Sequence, residues 1–99
     1  MIAGPKLSSR VMAAQDQVSS DLGGEAAILQ LTSGVYYGLN TVGARIWALL
    51  QQPRTVRDIR DTLLAEYDVT PERLEADLFD LLGKLATEQL IEVRDADAA

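Results

Sequence analysis

Cysteine and histidine are both absent from the 99 residues. Their absence removes disulfides, thiolate nucleophiles, imidazole bases and the usual zinc ligands together. Basic residues are scarce, nine against fifteen acids, and the net charge of −6 with no basic block would repel a phosphate backbone. Apolar runs fall far short of a membrane span, and the opening MIAGPKLSSR lacks the apolar core of a secretory signal, so a cytoplasmic protein is expected. The length allows one domain with a modest core, too small to add a deep enclosed catalytic cavity. Asp58 with Asp61, and Glu75 with Asp77, sit on charged helix faces with no base partner. Gly23-Gly24 is not followed by the Lys-Ser or Lys-Thr of a phosphate loop. No metal or cofactor is indicated, and the composition favours a non-enzymatic protein that binds across its surface.

What is present begins with residues 25–41, EAAILQLTSGVYYGLNT: two strand-like runs joined by Thr32-Ser33-Gly34 and ending at a helix start. Gly34 suits the positive-φ position of a short hairpin loop, and Val35-Tyr36-Tyr37 has the branched and aromatic types that fit a pleated surface. Alternation places Ala27, Leu29 and Leu31 on one face together with Val35, Tyr37 and Leu39, with Tyr36 and Gly38 pointing the other way. Residues 1–9 read as a loose arm, 11–14 as a first strand, and the stretch through Asp21-Leu22-Gly23-Gly24 as a polar connection.

Helical periodicity dominates the remainder. Asn40 caps a first helix whose Val42, Ile46, Leu49 and Leu50 form a stripe, with Trp47 on its flank, before Pro53 ends it. Thr55 to Asp58 resembles a capping box opening a second helix, with Val56, Ile59, Leu63 and Tyr67 on one face and Arg57, Asp58, Arg60 and Asp61 in water. Thr70-Pro71 starts a third helix reaching about Glu88, with Leu74, Leu78, Leu81 and Leu85 as core stripe. A short closing strand near Leu90 to Val93 and a frayed acidic tail over 95–99 leave residues 10–94 as the domain. The expected fold is α+β: a small three-stranded antiparallel sheet with an open edge, followed by three helices, winged helix-turn-helix-like. DNA binding is disfavoured, because the third helix carries Glu72, Glu75, Asp77 and Asp80 against Arg73 over residues 71–80, where a reader needs donors.

Residues 28–31, the Gly34-Val35-Tyr36-Tyr37-Gly38-Leu39-Asn40 run, Gly43-Ala44-Arg45-Ile46-Trp47 and the helix over 56–67 together resemble the PqqD-like family of peptide-recognition domains, especially its stand-alone members in lasso-peptide gene clusters. The resemblance covers about residues 11–93. It implies a RiPP recognition element that holds the leader segment of a ribosomal precursor as an added strand, while a leader-cleaving cysteine protease and an ATP-dependent macrolactam-forming cyclase act on the precursor. Two other readings stay open: a PqqD-type partner of a radical enzyme in quinone-cofactor or other peptide maturation, and an acidic winged-helix assembly module.

On this reading Val35, Tyr36, Tyr37, Gly38 and Leu39 form the docking strand. Tyr36 either stacks on the leader or covers the sheet's outer face, Tyr37 is either core or contact, and Gly38 either eases a bend or admits a neighbouring backbone. Phe79 lies about 140° from Leu74 on a helical wheel, beside Leu82, Gly83 and Ala86, as a second apolar flank for leader anchors. Asp77, Asp80 and Lys84, on the opposite flank, either pair with leader charges or form a solvated face.

Overall fold

The computed structural model describes residues 5–94 as an α+β domain with three helices and two three-stranded antiparallel sheets. The expected α+β class stands, but there are six strands in two sheets where one three-stranded sheet and a short closing strand were expected. β1 (Arg10–Ala13) is the centre of one sheet, flanked by β5 (Arg54–Thr55) and β6 (Ile91–Arg94). The second sheet runs β2 (Gln17–Asp21), β3 (Ala26–Gln30), β4 (Tyr36–Leu39), so the stretch expected to be a connection supplies a strand of its own. Between them come α1 (Thr41–Leu49), α2 (Val56–Glu66) and α3 (Pro71–Thr87). Among the described residues, no helix is long and apolar enough to cross a membrane.

The β3–β4 hairpin corrects the expected facing. Gly34 does take a positive φ of 74°, and its N–H donates to the Gln30 carbonyl. However, Gln30 bonds back to Val35 across a four-residue loop, 31–34, where a three-residue loop was expected. One extra loop residue flips every side chain of β3 relative to β4. Ile28 therefore sits opposite Tyr37, and Ala26 opposite Leu39, on the inner face. Leu29 and Leu31 turn out to solvent, and Gln30 takes the inner position that an apolar residue was expected to fill. Burying this amide is tolerable because both ends are bonded: Nε2 donates to the Gln89 carbonyl at 2.8 Å, and Oε1 accepts from the Thr32 N–H at 2.7 Å.

Helix starts follow the capping chemistry. Asn40, Thr55 and Thr70 each accept a hydrogen bond from the backbone N–H three residues on, and Pro71 occupies the first turn of α3. The stripe of α2 is as expected, with Val56, Ile59 and Leu63 buried and Tyr67 packed against the core. Two corrections apply elsewhere. In α1, Trp47 is buried and Val42 exposed, Val42 lining an open groove beside β4 and α3 where a core position was expected. In α3, the buried row is Leu74, Leu78, Leu82 and Leu85, with Leu81 only half-buried at its margin. The helix ends in a Schellman motif: Leu90 N–H bonds to the Leu85 carbonyl, Gln89 N–H bonds to that of Ala86, and Gln89 holds φ 59°.

The two sheets and three helices meet in one core containing Val11, Ile28, Leu50, Ile59, Leu78, Leu85 and Leu90. Residues 7–9 are more ordered than a loose arm. Ser9 is fully buried, Leu7 packs on the core, and the carbonyls of Leu7 and Ser9 accept from Arg57 and Val56 at the start of α2. The rest of that expected arm up to residue 4, and the expected tail over 95–99, lie outside the described residues.

Candidate functional site

β4 is an edge strand of its sheet, and its backbone polarity is set by the ladder with β3. Bonded and non-bonded pairs alternate in an antiparallel ladder. Since Gln30 N–H donates to the Val35 carbonyl at 2.9 Å, the pairs Ile28–Tyr37 and Ala26–Leu39 are the next bonded ones. Tyr36 and Gly38 stand at the intervening pairs and direct their N–H and C=O groups to the open edge. Of the five residues expected to dock a strand, these two direct their backbone groups outward, whereas Tyr37 and Leu39 pair with β3 and Val35 accepts from the Gln30 N–H while its own N–H donates to the Ser33 hydroxyl.

Side chains divide along the same alternation. Tyr36 is 67% exposed on the outer face. Tyr37 is half-buried, packs against the core and leans toward α3, and Leu39 is buried at the base of the strand. Between β4 and α3 lies an open groove of about 430 Å³, with Tyr37, Gly38 and Leu39 on one wall, Leu74, Asp77, Leu78, Asp80 and Leu81 on the other, and Val42, Ile46 and Val69 closing one end. Its lining is more apolar than polar.

A second hollow continues along α3 from Tyr37 and Asp80, bounded by Phe79, Gly83, Lys84, Thr87 and Glu88. At Gly83 it is open to the backbone, with room for a methyl group that would touch no other atom within 4 Å. Phe79 is half-buried, with part of the ring on the core and part in this hollow. The structure therefore brings Phe79, Asp80 and Lys84 around one depression, where the helical wheel had set Phe79 apart from the charges. Asp77 and Asp80 line the first groove. Leu82 is corrected: it is fully buried in the core and offers no surface. Leu81 takes its place in the groove, and Val42, Val69 and Arg73 also line it. The signal for Leu81 was its position at the edge of the leucine row, one helical step from Asp77 and Asp80.

Charge along the α3 rim is locally balanced. Arg73 pairs with Asp77 at 3.5 Å, and Lys84 with Asp80 at 3.0 Å, each one turn apart. The Asp80 hydrogen bond, followed by its charge, holds the Lys84 ammonium above the ordinary lysine range. Among the described residues no cluster of His, Cys, Asp and Glu has a metal-binding arrangement. An unpaired strand edge beside an apolar groove is suited to hold an extended peptide, with backbone bonds at the edge and side chains in the groove.

Comparison with known proteins agrees with this geometry. No curated protein matches the chain significantly. The fold is similar to that of TbiB1 in complex with the TbiA(beta) leader peptide, at 38% sequence identity and a TM-score of 0.77, over 82% of this chain and 94% of that one. It is also similar to lasso peptide synthetase B1 complexed with the leader peptide, with a TM-score of 0.72 over 83% of this chain and 96% of that one; at 22% identity this second likeness is one of fold. Residues 25–91, which hold β3, β4, β5 and all three helices, match the family described as coenzyme PQQ synthesis protein D over more than half of the chain, and the chain belongs to the PqqD family.

Proposed function

We propose that this protein is a non-catalytic RiPP recognition element of lasso-peptide biosynthesis, working in the cytoplasm, that binds a precursor's leader segment as a strand added to β4. The observation that carries the proposal is the free edge at Tyr36 and Gly38 beside the β4–α3 groove. The similarity to TbiB1, whose structure holds a leader peptide, supports it. Residues 10–94, with the turn over 7–9, form the recognition domain, and the succession of α1, α2 and α3 is winged-helix-like in this reading.

Magnitudes divide the work between edge and groove. Two N–H and two C=O groups at ~0.5–1.5 kcal/mol each supply about 2–6 kcal/mol, short of the ~8 kcal/mol of a micromolar complex. The balance comes from leader side chains in the groove at Tyr37, Leu81 and Asp77 and in the hollow at Phe79, Asp80 and Lys84. Once bound, the precursor is delivered to a leader-cleaving cysteine protease and an ATP-dependent macrolactam-forming cyclase, whose effective substrate concentration rises through tethering. The family description favours a second reading, a PqqD-type partner for a radical enzyme in quinone-cofactor maturation.

Titration of a fluorescein-labelled lasso precursor leader into the purified protein tests the proposal. Saturable binding, with precursor mass unchanged on incubation with this protein alone, is expected. Binding of a quinone-cofactor precursor in preference to the lasso leader would favour the second reading, and binding of neither would refute both.

A further inference from the structure

The second sheet has a face that the leader groove does not use. Val18, Leu29 and Tyr36 form one cross-strand row on its outer side, 52%, 37% and 67% exposed, with Leu31 and Leu22 at 56% and 57% on the same sheet. The outward positions of β3, Ala27 and Leu29, with Leu31 just beyond, are more apolar than the inward set of Ala26, Ile28 and Gln30. Neither folding nor solubility calls for that distribution, since the inner face is the one packed against the core.

The charges carried by the sheet itself are of one sign, and Arg45 of α1, which shares a hollow with Asp21 and Glu25, is paired with Glu66. Residues 16–40, which include all three strands and their turns, contain Asp16, Asp21 and Glu25 and no Lys or Arg. Asp16 falls opposite Leu31, and Glu25 opposite Leu22, through the bonds Leu31 N–H to Asp16 carbonyl and Leu22 N–H to Glu25 carbonyl. Thus acids flank the apolar row on both sides along the strand direction. A second copy of the chain would bring acid against acid, whereas a partner with an apolar patch and a Lys/Arg rim is complementary.

Tyr36 connects this face to the β4 edge. A strand added beside β4 alternates its side chains between the groove and the outer face, so every second leader residue extends the Val18–Leu29–Tyr36 row by one position. We propose that this outer face, completed by the bound leader, is the docking surface for the enzyme that processes the precursor. The inference rests on the leader-binding function proposed above. It adds that the enzyme contacts protein and leader together, through a patch that is apolar at its centre and basic at its rim, and therefore binds the loaded protein more tightly than the empty one.

The test uses the full chain, the fluorescein-labelled leader and the purified leader-cleaving protease encoded with that precursor. Protease affinity is measured with and without saturating leader for the natural protein, a Val18→Ser/Leu29→Ser variant and an Asp16→Lys/Glu25→Lys variant. The natural protein should bind the protease at least tenfold more tightly when loaded. The Ser variant should lose at least tenfold in protease affinity while its leader affinity stays within twofold and its melting temperature does not fall. The Lys variant, which changes exposed rim charges only, should lose several-fold, more at low salt. Unchanged protease affinity in both variants would overturn the inference, as would parallel loss of leader affinity, which would assign the face to the leader. A concentration-dependent dimer abolished by the Ser variant would assign it to a second copy and overturn it equally. Failure of the natural protein to bind leader is a separate result that removes the underlying function.

Discussion

Gly83→Ala separates binding from folding with opposite signs. The added methyl group enters the hollow on α3 and meets no atom within 4 Å, so it creates neither clash nor burial. Gly83 lies inside a 17-residue helix with no positive φ, where alanine narrows the unfolded ensemble without straining the native backbone. The expected gain is ~0.5–1 kcal/mol, which for a domain of this size raises the melting temperature by about 2–8 °C. Trp47, the single tryptophan and buried, reports unfolding by fluorescence in urea and heat. In the leader complex the same methyl takes space that an apolar leader side chain would fill beside Phe79, weakening binding by ~1–2 kcal/mol, about five- to thirtyfold. A lower melting temperature would show that the site is already packed. Higher stability with unchanged leader affinity would remove the hollow from the leader site.

Other expectations follow from neighbouring positions. Phe79→Ala should weaken leader binding by ~1–3 kcal/mol and cost less stability than the ~3–5 kcal/mol of a fully buried ring. Leu82→Ala should cost ~2–5 kcal/mol of stability, seen in urea melts, and leave leader affinity of the folded protein unchanged. Gln89→Gly, at the left-handed position ending α3, should stabilise the fold by up to ~1 kcal/mol in the same melts, since its backbone bonds are retained. The Arg45 side chain, bonded to Glu66 at 2.9 and 2.6 Å, holds the Glu66 carboxyl below the usual carboxylate range. This contribution is present above the unfolded glutamate pKa and lost as pH falls through the lower folded value. Glu66→Gln should therefore flatten the acid limb of a stability–pH curve and leave its alkaline limb unaltered.

The elements whose signals are local were legible in the sequence. Asn40, Thr55 and Thr70-Pro71 mark their helix starts because capping depends on three or four consecutive residues. Gly34 marked the hairpin turn for the same reason. Facing was not legible, because it depends on loop parity: residues 31–34 against 32–34 decides whether Leu29 or Ile28 enters the core, and both are apolar. β2 was missed because Gln17-Val18-Ser19-Ser20-Asp21 has weak strand propensity and is held by its pairing with β3. Within the candidate site, an open sheet edge and the flank position of Phe79 were visible from the small number of strands and the helical angle, whereas the choice of residues 35–39 as the docking strand came from the family resemblance. The exchange of Leu82 for Leu81 was not visible, since the two flank one leucine row and only the placement of α3 against β4 distinguishes them.

The most direct test of strand addition is amide hydrogen exchange, resolved by residue, with and without saturating leader peptide. Tyr36 and Gly38 face the open edge, whereas Tyr37 and Leu39 already bond to β3. Leader binding should slow exchange strongly at Tyr36 and Gly38 and change Tyr37 and Leu39 little. Unaltered exchange at Tyr36 and Gly38 in a saturated complex would contradict strand addition.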